Sequence, residues 1–124
     1  VALVMQYCSG GTLADSLKSR GAYSEVEFQR VAVQMLLAMT YIHQLGVVHR
    51  DIKPRNWVYE ADGVTIKLID FGFSAKSYLG DAGDGCCKSK GKDTGKLLGC
   101  MGTLGYLAPE VVHANLCSDA AYTE

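Results

Sequence analysis

Neither sign of charge dominates this chain: twelve Lys and Arg residues stand against thirteen Asp and Glu, a net charge of −1. Nothing global therefore pulls it toward nucleic acid or an acidic membrane surface. The uncharged run Val31–Ile42 is too short to cross a bilayer, which needs about 20 apolar residues. No secretory leader is read at the start, so the five cysteines are expected as reduced thiols in an intracellular, cytoplasmic protein. Five is an odd number, and Cys86 and Cys87 are adjacent, which strains any bridge between them. Cys86, Cys87, Cys100, Cys117 and His113 match none of the paired zinc spacings. The lysines at 88, 90, 92 and 96 lack the interleaved aromatics of a nucleic-acid groove. There is no internal repeat and no G-x-G-x-x-G loop.

What is present is ample apolar material, 48% of 124 residues, enough for a packed core in one domain or part of one. "VALVMQY" (Val1–Tyr7) reads as a buried strand, short, apolar and β-branched, closed by the turn signal "CSGG". Leu13–Lys18 suits a short helix stopping near Gly21. Ser24 and Glu27 form a capping-box pattern in which hydroxyl and carboxylate each satisfy a free backbone N–H. After it Phe28, Val31, Met35, Met39, Ile42 and Leu45 recur at three- or four-residue intervals, one apolar helix face, with Gly46 placed to end it. "VVH" suits a very short strand. Asn56–Tyr59 and Val64–Ile69 read as two strands joined across "EADG". In the second, Val64, Ile66 and Leu68 share one face, while Thr65 and Lys67 share the other. Between Ser77 and Gly99 six glycines and four lysines with few large apolar residues read as a mobile loop. Order is expected again near Met101, with a short helix at Pro109–His113.

The densest chemistry lies in "HRDIKPRN" (His49–Asn56) and "DFG" (Asp70–Gly72). Phosphoryl transfer from a nucleotide needs a carboxylate near the acceptor hydroxyl, a cation near the moving phosphate and two oxygen ligands for magnesium. Asp51, Lys53, Asn56 and Asp70 can supply these in that order. The predicted hairpin returns the chain so that Asp70 can sit near Asn56, which permits a shared metal site. Either Asp alone would read as a solvated loop residue.

"HRDIKPRN…DFG…GTLGYLAPE" resembles the catalytic loop, metal-binding triplet and substrate-docking segment of the protein kinase family, in the family's order. Lys53 and the setting of Thr103 resemble Ser/Thr rather than tyrosine kinases. "GVVHRDIKP", "NWVY" and "IKLIDFGFS" look most like the calcium- and calmodulin-dependent group, including calcium-dependent protein kinases. The resemblance implies an α+β kinase-like fold, here a partial, mainly helical C-lobe with one β-hairpin and the hinge strand, the N-lobe being absent. It divides the chain into a last N-lobe strand and hinge (1–12), C-lobe helices, catalytic loop and hairpin (13–76), an activation segment (77–110) and the start of the following region (111–124). It implies ATP and Mg²⁺ as cofactors and a protein as substrate. Asp51 would be the catalytic base, Lys53 the γ-phosphate contact, and Thr103 the bridge between them beside the acceptor. Asn56 and Asp70 would be the magnesium ligands. Met5 would be the gatekeeper, the backbones of Gln6 and Cys8 would face the adenine edge, and Leu13 and Val58 would lie beneath the ring. Met5 and Val58 equally suit plain core packing. Arg50 would form a pocket for a phosphorylated activation-loop residue, for which Thr94 and Ser89 are the candidates since Gly99 stands at the usual position.

The departures from the pattern are as informative. No glycine-rich loop, "VAIK" strand or helix with its partner Glu occurs in these residues, and both ends read as cut from a longer chain. The expectation is a fragment with negligible activity alone and an active full-length parent; the competing class is a non-catalytic scaffold or pseudokinase that binds partners. Kinases that prefer upstream basic residues commonly carry a Glu after the hinge glycines and another before the catalytic-loop Asn. Here those positions are Thr12 and Arg55, which predicts weaker selectivity for basic substrates, unless Arg55 is only a solvated loop charge. A calcium-sensing module elsewhere in the parent is left open by the subgroup resemblance.

Overall fold

A computed structural model describes residues 2, 4–76 and 101–116. The Gly/Lys-rich loop, Ser89, Thr94, Gly99, the four lysines and the cysteines at 86, 87, 100 and 117 lie outside these residues. The architecture is α+β, with three helices and a few very short strands among the described residues. The chain divides into two compact units, one of Val1–Tyr41 with Ile52–Asp70, the other of Ile42–Asp51 with Phe71–Glu124.

In the first unit, helix α1 (Leu13–Arg20) begins at Thr12. The Thr12 hydroxyl accepts from the Asp15 N–H at 3.1 Å and donates to the Asp15 carboxylate at 2.6 Å, a reciprocal cap. These Thr12 bonds, chiefly the side-chain one, hold the Asp15 carboxyl below its ordinary range, with weaker pulls from Lys18 and Arg55. Gly21 ends the helix at φ 79°, where a side chain would be strained. Thr12 thus has a local structural task that its motif position did not reveal. Thr12→Ala in the full-length protein is expected to lower stability by about 1 kcal/mol, read as a reduced denaturation midpoint.

Helix α2 (Glu25–Gln44) starts as expected. The Ser24 N–H and hydroxyl both donate to the Glu27 carboxylate, at 3.0 and 2.7 Å, while the Glu27 N–H donates back to the hydroxyl. Val31, Met35 and Met39 face the core of this unit with Leu13, Trp57, Tyr59 and Ile66. Phe28 and Leu45, expected on the same face, are each 60% exposed. Phe28 sits a turn before the first residue packed on the hairpin, and Leu45 lies beyond the helix end. Val33, Leu36, Leu37 and Tyr41 on other faces are exposed too. No helix among the described residues is long and apolar enough to cross a membrane.

The core's other wall is an antiparallel hairpin, β2 (Trp57–Tyr59) against β3 (Ile66–Leu68), with Trp57 opposite Leu68 and Tyr59 opposite Ile66. Alternation buries Trp57 and Tyr59 and turns Val58 to the opposite face. The turn closes where Asp62 accepts from the N–H groups of Val64 and Thr65, both at 2.9 Å, and from the Thr65 hydroxyl at 2.6 Å. That hydroxyl is the main cause holding the Asp62 carboxyl below its ordinary range. Val64, expected on the buried face with Ile66, is instead 58% exposed, because it still belongs to the turn. The Gln34 amide occupies the hairpin edge, donating to Val64 O and accepting from the Ile66 N–H, each at 3.0 Å. On the other edge Gly10 N–H donates to Tyr59 O at 3.0 Å and Tyr59 N–H to Gly11 O at 2.9 Å. The Tyr59 hydroxyl meets that of Tyr23 at 3.0 Å, and burial, its largest influence, pushes its pKa up.

The strand expected over Val1–Tyr7 does not form among its described residues; Val4 is 94%, Met5 71% and Tyr7 87% exposed. A strand is stabilised by a neighbour's ladder, and no described segment pairs with residues 4–7.

In the second unit β1 (Val47–Val48) pairs antiparallel with β4 (Ala75–Lys76). Val48 packs with Ala75 and with Val111 of α3 (Pro109–Leu116). Helix α3 starts at the expected Pro109, whose ring suits a first helical position, and runs past His113.

Candidate functional site

The first unit holds Lys53, Asn56 and Asp70 around the open end of the hairpin. Lys53 is followed by a 3₁₀ turn, Pro54–Asn56, closed by the Asn56 N–H on Lys53 O at 2.9 Å. Beyond the last ladder pair the Ile69 N–H donates to Asn56 O at 2.9 Å, so Asp70 follows the residue bonded to Asn56, just before β2 begins. Asn56 is 4% exposed, whereas Asp70 is exposed and left-handed at φ 63°. A non-glycine residue in that region is held by its surroundings at a cost of about 1–3 kcal/mol, and such residues cluster at working sites.

Around the same hairpin lie the residues expected near adenine. Gln6 accepts a hydrogen bond from the Lys67 ammonium, which also pairs with Glu60; the Glu60 bond is the main cause raising the Lys67 pKa. Lys67 stands opposite Val58 in register, so Gln6 joins the hairpin face that carries Val58. Cys8 is a half-buried free thiol. Leu13, at 5% exposure, belongs to the core cluster. Met5, expected in a buried strand, stands open to solvent as described above.

The second unit holds Asp51 and Thr103, 52 residues apart. The Thr103 hydroxyl donates to Asp51 Oδ1 at 2.6 Å. Asp51 is 3% exposed and His49 fully buried. The Asp51 N–H donates to His49 Nδ1 at 3.3 Å, which makes Nδ1 an acceptor. His49 also meets Phe71 edge-on at 4.9 Å. Arg50, between them, is left-handed at φ 65°, and its Nε donates to Phe73 O at 2.6 Å. The carboxylate is thereby buried, hydrogen-bonded by a hydroxyl, and carried on a backbone whose two preceding residues are anchored.

The structure therefore brings together Asp51 with Thr103, and Asn56 with Asp70. Sequence reasoning missed the Phe73 carbonyl as partner of Arg50, the β1–β4 pairing, and Gly102, which packs on the Arg50 backbone. The only available signal for the last was its place immediately before Thr103. Among the described residues no cluster of three or more His, Cys, Asp or Glu side chains is arranged to hold a metal. The donor set expected for magnesium, Asn56 with Asp70, is smaller and of mixed type, one carboxylate and one amide oxygen. Hard oxygen donors suit this ion, which retains several waters and borrows phosphate oxygens.

Comparison with known proteins agrees with these motifs. The protein kinase domain family model matches residues 1–123. The serine/threonine-protein kinase PEPKR2 of Arabidopsis thaliana is 38% identical over 113 residues, covering 91% of this chain and 21% of that protein. CDPK-related kinase 1 and CDPK-related kinase 7 of the same plant are 37% and 36% identical over 123 residues, covering 97% of this chain and 19% of each relative. The chain thus spans about a fifth of the length of these relatives. With its three motifs in order and a match across nearly all its residues, the chain belongs to the protein kinase domain family.

Proposed function

We propose that the full-length protein carrying this chain transfers the γ-phosphoryl group of ATP to a Ser or Thr hydroxyl of a protein substrate. The observation that supports this most is the 2.6 Å bond from Thr103 to Asp51, because the two residues matched to the acceptor side of the reaction meet across 52 positions of chain. In this reading Asp51 accepts the proton as the substrate oxygen attacks, and Thr103 holds the carboxylate's orientation. Lys53 balances charge on the moving phosphoryl group. Asn56 and Asp70 would hold magnesium, which supplies charge neutralisation of the phosphate oxygens when bound. Gln6, Cys8 and Val58 belong to the adenine side, with Met5 as gatekeeper once a neighbouring strand covers it, whereas Leu13 is packed into the core with Trp57 and Tyr59. Within these 124 residues no G-x-G-x-x-G loop and no "VAIK" lysine exists, so the chain by itself transfers negligible phosphate. The test is magnesium-dependent transfer of labelled γ-phosphate from ATP to Ser/Thr peptides by the full-length protein. No transfer, with ATP bound, overturns the reading in favour of a binding scaffold.

Substrate preference follows from Arg55, an exposed cation two residues from Lys53. Asp15 is its nearest counterweight named above, and that carboxylate is engaged by Thr12. Arg55→Glu in the full-length protein is expected to raise relative kcat/KM for peptides with Arg upstream of the acceptor by about two- to fivefold, the range of an exposed ion pair. A peptide array with an unchanged profile would show that Arg55 is only a solvated charge.

A further inference from the structure

We infer that Gly102 is a positioning residue for the Asp51–Thr103 contact, an inference that rests on the phosphotransfer reading for its kinetic consequence. Gly102 adopts φ 129°, a conformation that residues with a β-carbon rarely adopt. A Cβ built there would lie 2.6 Å from Leu107 Cδ2 and 2.8 Å from the backbone oxygen of Arg50. Both approaches are closer than real β-carbons make. The leucine tip can rotate away. The carbonyl cannot move freely, since it belongs to the peptide that links Arg50 to Asp51.

Arg50 has little room to adjust. Its backbone is already left-handed at φ 65°, and its guanidinium is tied by Nε to Phe73 O at 2.6 Å. A side chain at position 102 must therefore push its own segment away from the catalytic loop. The next residue in that segment is Thr103, whose hydroxyl reaches Asp51. Bare backbone at Gly102 lets the segment rest on the Arg50 carbonyl, and that seating brings the hydroxyl within 2.6 Å of the carboxylate. Gly105 provides the contrast: it is also at positive φ, 90°, but nothing lies within 4 Å of its missing Cβ. Alanine there meets backbone strain without collision.

The experiment uses the full-length protein with Mg-ATP and a Ser/Thr peptide, beside hydrogen–deuterium exchange of the segment 49–52. Gly102→Ala is expected to lower kcat by about ten- to a hundredfold, the loss of one hydrogen bond to a charged group, with KM for ATP within about twofold of wild type. In a Thr103→Val background, Gly102→Ala should lower kcat no further, because the contact it disturbs is already gone. Exchange at the Asp51 amide should rise about tenfold in Gly102→Ala and remain at the wild-type rate in Gly105→Ala. Should Gly102→Ala fail to fold, the double variant Gly102→Ala/Leu107→Ala removes the leucine contact but keeps the Cβ against the Arg50 carbonyl, and it should lower kcat by the same factor, again with no further loss in the Thr103→Val background. Multiplying losses in the double variants, or wild-type exchange and kcat in Gly102→Ala, overturns the inference. An inactive wild type whose exchange still responds to Gly102→Ala would overturn the phosphotransfer reading and leave the positioning role standing.

Discussion

Asp51→Asn in the full-length protein is expected to lower kcat by about a hundred- to ten-thousandfold, the usual contribution of a positioned general base. The substitution keeps the shape of a side chain that is 3% exposed. Its amide oxygen can still accept from Thr103, so the 2.6 Å contact survives in kind. What disappears is the capacity to take a proton from the substrate hydroxyl. Thr103→Val is the informative partner: it keeps the base and removes only the bond that orients it, so its loss should be smaller, about ten- to a hundredfold. KM for ATP should be nearly unchanged in both, since the proposed nucleotide and metal contacts belong to other residues. Steady-state transfer of labelled phosphate measures all of this. If Asp51→Asn retained wild-type kcat, Asp51 would not be the base.

The second large effect concerns stability. Trp57→Ala should destabilise the full-length protein by about 3–5 kcal/mol, as large-to-small changes in a closed core do. Trp57 is fully buried, against Leu13, Val31, Tyr59 and Ile66. Its indole N–H has no hydrogen-bond partner among the described residues. Trp57→Phe therefore removes an unmet buried donor while keeping most of the aromatic volume. It should cost far less, within about 1–2 kcal/mol of wild type, because the relieved donor offsets part of the lost packing. Chemical denaturation of the two variants separates packing from polarity. Equal losses would mean that the indole's outer ring, not its bulk, sets the core. The same pair bears on the proposed magnesium site: Trp57 directly follows Asn56, and the hairpin it anchors carries the Ile69–Asn56 bond that brings Asp70 back. Trp57→Ala should weaken magnesium-dependent ATP binding as well as stability, whereas Trp57→Phe should leave it near wild type.

How much of this was legible in advance depends on distance along the chain. The start of α2 was readable because the Ser24–Glu27 cap closes within four residues and needs nothing else. The hairpin turn was readable for the same reason: Asp62 meets the backbone of Val64 and Thr65. Even so, local pattern overreached at the edges. Phe28 and Leu45 matched the helical period but lie beyond the surface that α2 covers, and residues 4–7 have strand composition but pair with no strand among the described residues.

The amino-acid sequence by itself determined the family, the order of the motifs, the residue types available for phosphoryl transfer, and the helix caps and turn that form locally. Tertiary structure alone decided that Val47–Val48 pairs with Ala75–Lys76, that the Arg50 guanidinium binds the Phe73 carbonyl, and that Gly102 seats Thr103 against Asp51. The physical reason is that such contacts close long loops. Two-residue strands carry no periodicity to read, a carbonyl acceptor has no sequence signature, and a glycine's close approach is defined by the backbone it touches.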